Sequence, residues 1–431
     1  MSKYTYSVSN YRAVKKAEIE IDGITVLVGE NGAGKSTLSR LLYDVTKVLA
    51  GYDEIIDRET RSEMFSVLAL MRRSYSFLRH PLYLEHVPPV VDVARVIDSE
   101  NNLVEVKESV ISVLNDYRNG LLSFMQDTTK NAEYYRARLS TLFGVEDGDK
   151  MDVKMLVNTI CDRLTNRVRL SVELAEEKKV RKDRKTFFEL ISEQDSLVDE
   201  DIIDLKFSED GIDLLERNHF SPMLNIHCVI YYKTYELMDY LRGNSDFHSY
   251  LGKSSNKMND AEKLISRMFR AILKGSIGVS DDNLFGETEL QYQRNDGLRI
   301  PLNQAATGLI SFSLLARLLE NGFLRKGTLL ILDEPEAHLH PKWIVEYARM
   351  LVFLQSKLGL KIVLSTHNPD MVSAIDSISR KEKTAGSTCF YFATPCRENP
   401  FSYVYDKQDN VENIFDSFNV AITRIQEYGE D

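Results

Sequence analysis

The stretch that decides the fold is ITVLVGENGAGKSTLSRLL, residues 24–42. It opens with a short β-branched apolar run, passes through a glycine-rich loop and ends with apolar residues at helical spacing. Such an order predicts a strand, a loop and a helix. The loop fits the pattern GxxxxGK[ST] through Gly29, Gly34, Lys35 and Ser36. This pattern between a strand and a helix is typical of a phosphate-binding loop.

The residue types of this loop suit a nucleotide triphosphate and its metal. Glycines let successive backbone N–H groups point inward at phosphate, and the helix that follows adds its positive dipole end. We expect Lys35 to reach the β- and γ-phosphates, Ser36 to offer its hydroxyl to Mg²⁺, and Thr37 to reach the α-phosphate. A glycine turn with a chance lysine is the alternative, and the flanking strand and helix disfavour it. The expected ATP contacts are Gly29, Asn31, Gly32, Gly34, Lys35, Ser36 and Thr37.

Two further apolar runs end in polar residues of the kind that a phosphate loop requires. TLLILDE, residues 328–334, reads as a buried parallel strand. We expect Asp333 to hold Mg²⁺, and Glu334 to orient or deprotonate the water that attacks the γ-phosphate. KIVLSTH, residues 361–367, reads as a second buried strand, after which His367 is placed to contact the γ-phosphate. A lone histidine is more often structural, so this prediction depends on the other motifs.

A fourth motif lies between the phosphate loop and the carboxylates. Residues 300–322, IPLNQAATGLISFSLLARLLENG, place Thr307 and Gly308 in a turn before a strongly apolar helix. The N-terminus of that helix is a second position that can bind phosphate. In isolation a plain turn before a core helix is the better interpretation, and the position of the turn among the other motifs changes that judgement.

The order of these motifs resembles an ABC-type ATPase head. DEPEAHLHP (333–341) and STHNPDMV (365–372) look most like the RecF-like and SMC-like branch, including the heads of OLD-family nucleases and Septu-type phage-defence ATPases. The resemblance implies an α/β fold with a mixed sheet, an antiparallel β subdomain and a mainly helical insertion. It also implies two heads that pair around two ATP molecules, with Thr307 and Gly308 touching the γ-phosphate bound by the other subunit.

The sequence departs from that family in two places. AATG replaces the usual serine- and glycine-rich signature, and no glutamine loop is evident. The strand CVIYYKT, residues 228–234, is the best candidate for that loop's position, but Thr234 stands where a glutamine is expected.

The carboxylate-rich segment also permits a different interpretation. Glu336, His338 and His340 are ligand types for zinc or iron, so a transition-metal site is an alternative. In ABC-type heads this segment crosses the dimer interface, and the three residues lie on a loop without a further ligand cluster nearby. We therefore favour interface and packing roles.

The rest of the chain predicts one ATPase head interrupted by an insertion. Residues 1–51 and 201–431 would form the head, and 52–200 a helical insertion. Its apolar pattern does not sustain the many heptads of a long coiled coil, so a compact helical arm is expected instead of an SMC-length rod. A second helical segment is expected at about 235–280. Hairpins are predicted around the Asp-Gly turns of 204–216 and 290–300, and a terminal hairpin precedes a last helix at 411–428.

Composition limits the function classes. The net charge of −11 excludes a broadly basic surface, so nucleic acid would have to bind a local patch. Four cysteines without CxxC spacing favour free thiols in a reducing compartment. Because we find neither a membrane-length apolar run nor a signal peptide, we expect a cytoplasmic protein without a membrane partner.

The one strongly basic run is KKVRKDRK, residues 178–185, with a looser group at Arg72, Arg73 and Arg79. Phosphate backbones bind such clusters, which makes DNA a candidate partner. A solvated helix face beside the acidic stretch 195–204 is the interpretation that we favour.

These observations predict an ATPase switch that forms a homodimer or larger homo-oligomer and controls a separate effector such as a nuclease. The resemblance favours anti-phage defence. DNA repair or recombination is the alternative, and a transporter's ATP-binding subunit is less favoured because of the large insertion. A purely structural nucleotide-binding scaffold is disfavoured because it needs no carboxylate at Glu334.

Overall fold

A computed structural model of the chain describes residues 2–78, 97, 102–127, 132–192, 203–236, 250–252, 257–280, 289–415 and 427–428. Contacts divide the chain into two compact units. One, the sheet unit, comprises Met1–Gly51 with Asp183–Asp431, and the other, the helical unit, comprises Tyr52–Lys182. The insertion boundaries predicted from the sequence, 52–200, stay a prediction.

The strands are named in chain order. They are β1 Tyr4–Tyr11, β2 Val14–Ile21, β3 Ile24–Val28, β4 Asp204–Glu209, β5 Ile212–Asp213, β6 Cys228–Lys233, β7 Gly275–Ser280, β8 Glu289–Arg294, β9 Arg299–Pro301, β10 Thr328–Asp333, β11 Lys361–Thr366, β12 Thr388–Pro395 and β13 Tyr403–Gln408.

The α-helices of the described residues are named likewise. They are α1 Lys35–Leu78, α2 Leu103–Asp127, α3 Ala132–Phe143, α4 Val153–Arg181, α5 Arg184–Ser192, α6 Asp260–Leu273, α7 Thr307–Glu320, α8 Pro341–Leu358 and α9 Pro369–Lys381.

One ten-stranded mixed sheet forms the sheet unit, in the order β5-β4-β1-β2-β13-β12-β3-β11-β10-β6. The strands β12, β3, β11, β10 and β6 run parallel to one another. Of these, β3, β10 and β11 are buried at every position, as expected for apolar runs covered on both faces. The remaining pairs are antiparallel except for β13 with β2, which is parallel. The predicted α/β class with a mixed sheet is confirmed.

The parallel arrangement positions the site. Because parallel strands end at a common edge, the residues that follow β3, β6, β10 and β11 lie along the same side of the sheet. Those residues are Gly29, Thr234, Glu334 and His367.

The hairpin predictions are confirmed. β4 and β5 pair around Asp210-Gly211, and β8 and β9 pair around a turn that contains Gly297. The terminal hairpin is formed by β12 and β13, which also join the large sheet. Most of the predicted last helix at 411–428 lies outside the described residues.

The prediction of a helical segment at about 235–280 is partly wrong. Residues 260–273 do form α6, but Gly275–Ser280 is strand β7, which pairs with β8 in a separate three-stranded sheet. Lys274 ends the helix in the left-handed conformation, and the side-chain-free Gly275 lies so close to Tyr292 that a Cβ would overlap its ring. This strand pairing outweighs the local helical pattern.

The helical unit contains α2, α3 and α4 with the C-terminal part of α1. Helices α2 and α4 agree with the helical character predicted for this part of the chain, and α4 buries apolar residues at helical spacing, for example Leu156, Ile160 and Val168. Helix α1 leaves helical geometry at Gly51 (φ −134°, ψ 25°), which is the last residue of the sheet unit's first segment.

Two findings concern the composition-based expectations. All four cysteines are free thiols, as predicted. Among the residues that the structure describes, no helix has the length and apolarity needed to cross a membrane.

Candidate nucleotide site

The phosphate loop begins where the buried strand β3 ends. Gly32 and Gly34 both have φ of +87°, a left-handed conformation that side chains rarely adopt. Gly29 is required for space, because a Cβ there would lie 2.7 Å from the Cβ of Ala393. Glycine at these positions therefore lets the loop turn tightly before α1 begins at Lys35.

Lys35 is buried and bonded to the loop itself. Its ammonium donates to the carbonyl oxygens of Gly29 and Glu30, both at 3.0 Å, and lies 4.0 Å from the Glu334 carboxylate. Burial lowers the pKa of Lys35, and the charges of Glu334 and Asp333 oppose that shift. The ammonium is therefore held at the mouth of the loop by weak carbonyl acceptors, for which phosphate oxygens are stronger substitutes.

Asp333 joins β10 to the phosphate loop. Its side chain is fully buried and accepts a hydrogen bond from the Ser36 hydroxyl at 2.9 Å. The Ser365 hydroxyl donates to the same carboxylate oxygen, and the Tyr231 hydroxyl lies 3.4 Å from the other. The Ser36–Asp333 contact brings together two residues that were predicted as Mg²⁺ ligands, and their roles remain predictions.

Glu334 and His367 form the second polar contact of the site. The Nδ1 atom of His367 lies 3.1 Å from Oε1 of Glu334, and both side chains are partly exposed. Glu334 has φ of 50°, and its backbone oxygen accepts a hydrogen bond from the Thr234 hydroxyl at 2.7 Å. Thr234, at the position expected for a glutamine, thus contacts the site through the backbone of Glu334.

Thr307 and Gly308 are the first two residues of α7, whereas the sequence placed them in a turn before the helix; their signature role stays a prediction. Both are partly exposed, and no side chain caps the helix start. A Cβ on Gly308 would lie 2.9 Å from a methyl group of Leu339 and 3.2 Å from the Trp343 ring. A side chain at position 308 would therefore require Leu339 and Trp343 to shift.

The transition-metal alternative receives no support from the three residues that suggested it. Glu336 is buried and accepts a hydrogen bond from Thr366, while His338 is exposed. His340 caps α8 by accepting from the backbone N–H of Lys342 at 3.3 Å. Within the described residues no group of three or more His, Cys, Asp or Glu side chains is arranged to hold a metal ion.

Sequence reasoning missed three residues that bond to the site. Ser365 and Tyr231 contact Asp333, and the Tyr405 hydroxyl donates to the Ala33 carbonyl of the phosphate loop at 3.0 Å. Ser365 and Tyr231 lie on β11 and β6, which flank β10 in the sheet, and Tyr405 lies on β13, which is separated from β3 by β12. A polar residue within an apolar run was the available signal, but its partner depends on strand order.

The basic run at 178–185 is largely neutralised. Lys179 pairs with Asp57 and Glu176, Arg181 with Glu177, Lys182 with Asp53, and Lys185 with Glu189. Arg184 donates to backbone carbonyls of Leu215 and Glu216. These contacts favour the solvated-face interpretation over phosphate binding. Arg79 and residues 195–202 lie outside the described residues.

Two family models match the chain. The family described as "AAA ATPase domain" matches residues 5–209, which include the phosphate loop. The family described as "AAA domain, putative AbiEii toxin, Type IV TA system" matches residues 164–373, which include Asp333, Glu334 and His367.

Curated relatives match only a short segment. Over 92 residues the chain is 33% identical to the energy-coupling factor transporter ATP-binding protein EcfA2 of Clostridium perfringens (strain SM101), which covers 21% of this chain and 29% of that protein. Over 72 residues it is 38% identical to EcfA3 of C. perfringens (strain ATCC 13124), covering 16% and 25%. The chain spans less than a third of the length of these relatives.

Solved structures similar to the chain include heads of SMC proteins. The SMC head domain from Thermotoga maritima has 10% identity and a TM-score of 0.36, covering 95% of this chain and 100% of that one. The Smc head with a coiled coil and joint from Pyrococcus yayanosii has 12% identity and a TM-score of 0.38, covering 98% and 100%.

The phosphate loop and the buried strand that ends at Asp333 meet in one site, and each falls within a matched ATPase family. The chain is therefore similar to ATPase domains in the two segments that form this candidate ATP site.

Proposed function

We propose that the chain hydrolyses ATP and uses the cycle as a switch. The observation that carries this proposal is the convergence of the motifs on one edge of the sheet. Ser36 lies 2.9 Å from Asp333, Lys35 lies 4.0 Å from Glu334, and Glu334 lies 3.1 Å from His367. A site that only bound nucleotide would not need the partly exposed carboxylate of Glu334 beside Lys35.

ATP would bind through the loop amides and Lys35. In that step the ammonium exchanges the carbonyl oxygens of Gly29 and Glu30 for the β- and γ-phosphates, which are charged acceptors. The first turn of α1 contains no acidic residue, so its N-terminus is electrostatically suited to an anion.

The ligands for Mg²⁺ would be Ser36 and Asp333. A hydroxyl and a carboxylate are the hard oxygen donors that this cation prefers, and here they already contact each other. Bound Mg²⁺ would offset the charge of the β- and γ-phosphates. Ser365 and Tyr231 hold the Asp333 carboxylate in place, so its orientation is set before the metal arrives.

Glu334 would act as the base or as the acceptor that orients the attacking water. It follows Asp333 directly, and its left-handed φ of 50° turns it out of the strand direction. His367 contacts its carboxylate at 3.1 Å and is itself 43% exposed, which leaves part of the imidazole open to a ligand. We propose that His367 links the presence of the γ-phosphate to the orientation of Glu334.

We further propose that ATP pairs two heads, with Thr307 of one head facing the γ-phosphate of the other. A substitution at Gly308 would test two effects at once, because a Cβ there also approaches the side chains of Leu339 and Trp343. Thr307→Glu is sharper, since it places a negative charge at the helix start against phosphate, and Thr307→Ser is its control. In sedimentation with ATP, Thr307→Glu should stay monomeric while Thr307→Ser pairs like the unchanged protein. Equal pairing of all three would contradict the trans-acting turn.

The biological output that we propose is control of a separate effector in anti-phage defence. The matched family whose description names a toxin and a toxin–antitoxin system supports this class. DNA repair is the second candidate, supported by the resemblance of DEPEAHLHP to RecF-like heads. A transporter subunit is a third, because EcfA2 and EcfA3 match a short segment.

One comparison separates these outputs. Glu334→Gln should hold ATP without hydrolysing it, so its partners stay bound, whereas Lys35→Ala should bind none. An effector protein retained only by Glu334→Gln supports defence. Retention of DNA alone, or of a membrane protein, would replace the proposed output with repair or with transport.

A further inference from the structure

Glu336 is a buried carboxyl that the proposed mechanism does not use. It lies two residues after Glu334 on the loop that leaves β10, and only 4% of it is exposed. One of its carboxyl oxygens accepts a hydrogen bond from the hydroxyl of Thr366, the last residue of β11. The contact therefore links the loop after β10 to the end of the neighbouring strand.

The Thr366 hydroxyl continues this chain of hydrogen bonds across His367. It accepts from the backbone N–H of Asn368 at 3.0 Å. Asn368 in turn caps α9 by accepting from the backbone N–H groups of Asp370 at 2.8 Å and Met371 at 3.2 Å. The residues on both sides of His367 are thus fixed by side-chain hydrogen bonds, whereas the imidazole itself is exposed and contacts Glu334.

The second carboxyl oxygen of Glu336 is buried and has no hydrogen-bond partner among the described residues. The hydroxyl of Tyr347 on α8 is in the same condition. Burial raises the pKa of both groups, and the charge of Glu336 contributes to the shift at Tyr347. Burying a carboxyl with incomplete hydrogen bonding is unfavourable, and an apolar residue would avoid that cost. A functional role for Glu336 would explain why a carboxyl is found at this position.

We propose that Glu336 is a positioning residue for ATP hydrolysis, acting through Thr366 to hold the turn that carries His367. The imidazole is thereby kept where it contacts Glu334 and can meet the γ-phosphate. This inference rests on the proposed function, since it assigns a supporting role within the same site.

The first test removes the link while preserving shape. Thr366→Val loses the hydroxyl, and Thr366→Ser retains it. Because small displacements of reacting groups are costly, Thr366→Val should lower kcat by about 10- to 100-fold with KM for ATP little changed. Thr366→Ser should restore most of the rate. The matched control is Thr328→Val, which removes another buried strand hydroxyl, bonded to the Phe323 carbonyl at 2.6 Å.

A double-mutant cycle separates positioning from a general structural effect. If Thr366 acts through His367, then Thr366→Val should cause no further loss of kcat in a His367→Gln background. Additive losses, or a Thr366→Val variant with unchanged kcat, would overturn the proposal. Glu336→Gln, which can still accept from Thr366, should lose less activity than Glu336→Ala.

A readout independent of turnover keeps the inference distinct from the proposed function. The protein has eight histidines, so labelled-histidine NMR can follow His367 once His367→Gln has assigned its signal. The His367 signal should shift in Thr366→Val and Glu336→Ala and stay in place in Thr328→Val. If the unchanged protein fails to hydrolyse ATP, the proposed function falls, and this signal still decides whether Glu336 and Thr366 position His367. An unmoved signal in both variants would overturn the positioning role.

Discussion

Two groups of charged residues, in different regions of the molecule, differ in how their charges are paired. At the nucleotide site, Lys35 at the start of α1 lies near Asp333 and Glu334 at the end of β10, and carbonyl and hydroxyl groups are among their close partners. In the basic run, Lys179 and Lys182 each have a carboxylate of their own. A cluster of charged residues is thus a candidate functional site when its groups lie together and can still bind a ligand. It is a structural feature when each charge is already paired within the protein.

The largest expected effect comes from removing the cation of the converging cluster. Lys35→Ala should abolish ATP binding, because the loop then lacks the ammonium that we propose binds the β- and γ-phosphates. A fluorescent ATP analogue titrated against both proteins measures this. Lys178→Ala is the matched control and should bind ATP normally. Unchanged ATP affinity in Lys35→Ala would show that the two clusters do not differ in ATP binding.

The residues of the nucleotide site were also easier to predict from the sequence than the ion pairs of the basic run. The strands β3, β10 and β11 were predicted because continuous apolar runs bounded by glycine or acidic residues are strong local signals. The contacts of Asp333 with Ser365 and Tyr231 were not, because they depend on which strands are neighbours in the sheet. Local sequence therefore predicts the motif residues, and sheet order decides which hydroxyls support them.

Elsewhere long-range pairing overrode the local pattern. Gly275–Ser280 was predicted to be helical and is a strand, because it pairs with β8. The basic run was ambiguous in sequence for a related reason. Lys179 and Lys182 find Asp57 and Asp53 far away in the chain, and spacing alone cannot reveal those partners.

A smaller expected effect is a pH-dependent change in stability, which tests whether the pKa of Glu336 is raised in the folded protein. Burial raises its pKa in the folded protein, so folding favours the protonated form. Its favourable contribution is present below the ordinary glutamate pKa and is lost as pH rises through the raised folded value. Glu336→Gln resembles the protonated form and avoids this loss.

The difference in Tm between Glu336→Gln and the unchanged protein should therefore become more positive from pH 4 to pH 8. Differential scanning fluorimetry in matched buffers measures it, with the exposed Glu398→Gln as control. A difference that stays constant or becomes more negative with rising pH would show that Glu336 does not have a raised pKa.

The smallest effect is expected in the basic run. Replacing Lys179, Arg181, Lys182 and Lys185 by glutamine removes ion pairs that are each worth about 0–1 kcal/mol at a surface. ATP hydrolysis should be unchanged, and the salt dependence of any DNA binding should stay the same. A slope of log affinity against log salt that falls by roughly 0.7–0.9 per lost phosphate contact would make this run a nucleic-acid surface.

The central claim is that the converging cluster hydrolyses ATP with Glu334 as the group that activates water. The most direct measurement is ATP turnover and ATP affinity, side by side, in the unchanged protein and in Glu334→Gln, with Glu398→Gln as control. We predict that Glu334→Gln binds ATP as tightly as the unchanged protein and hydrolyses it about 10²- to 10⁴-fold more slowly. Undiminished turnover in Glu334→Gln, or no turnover in the unchanged protein, would contradict the claim.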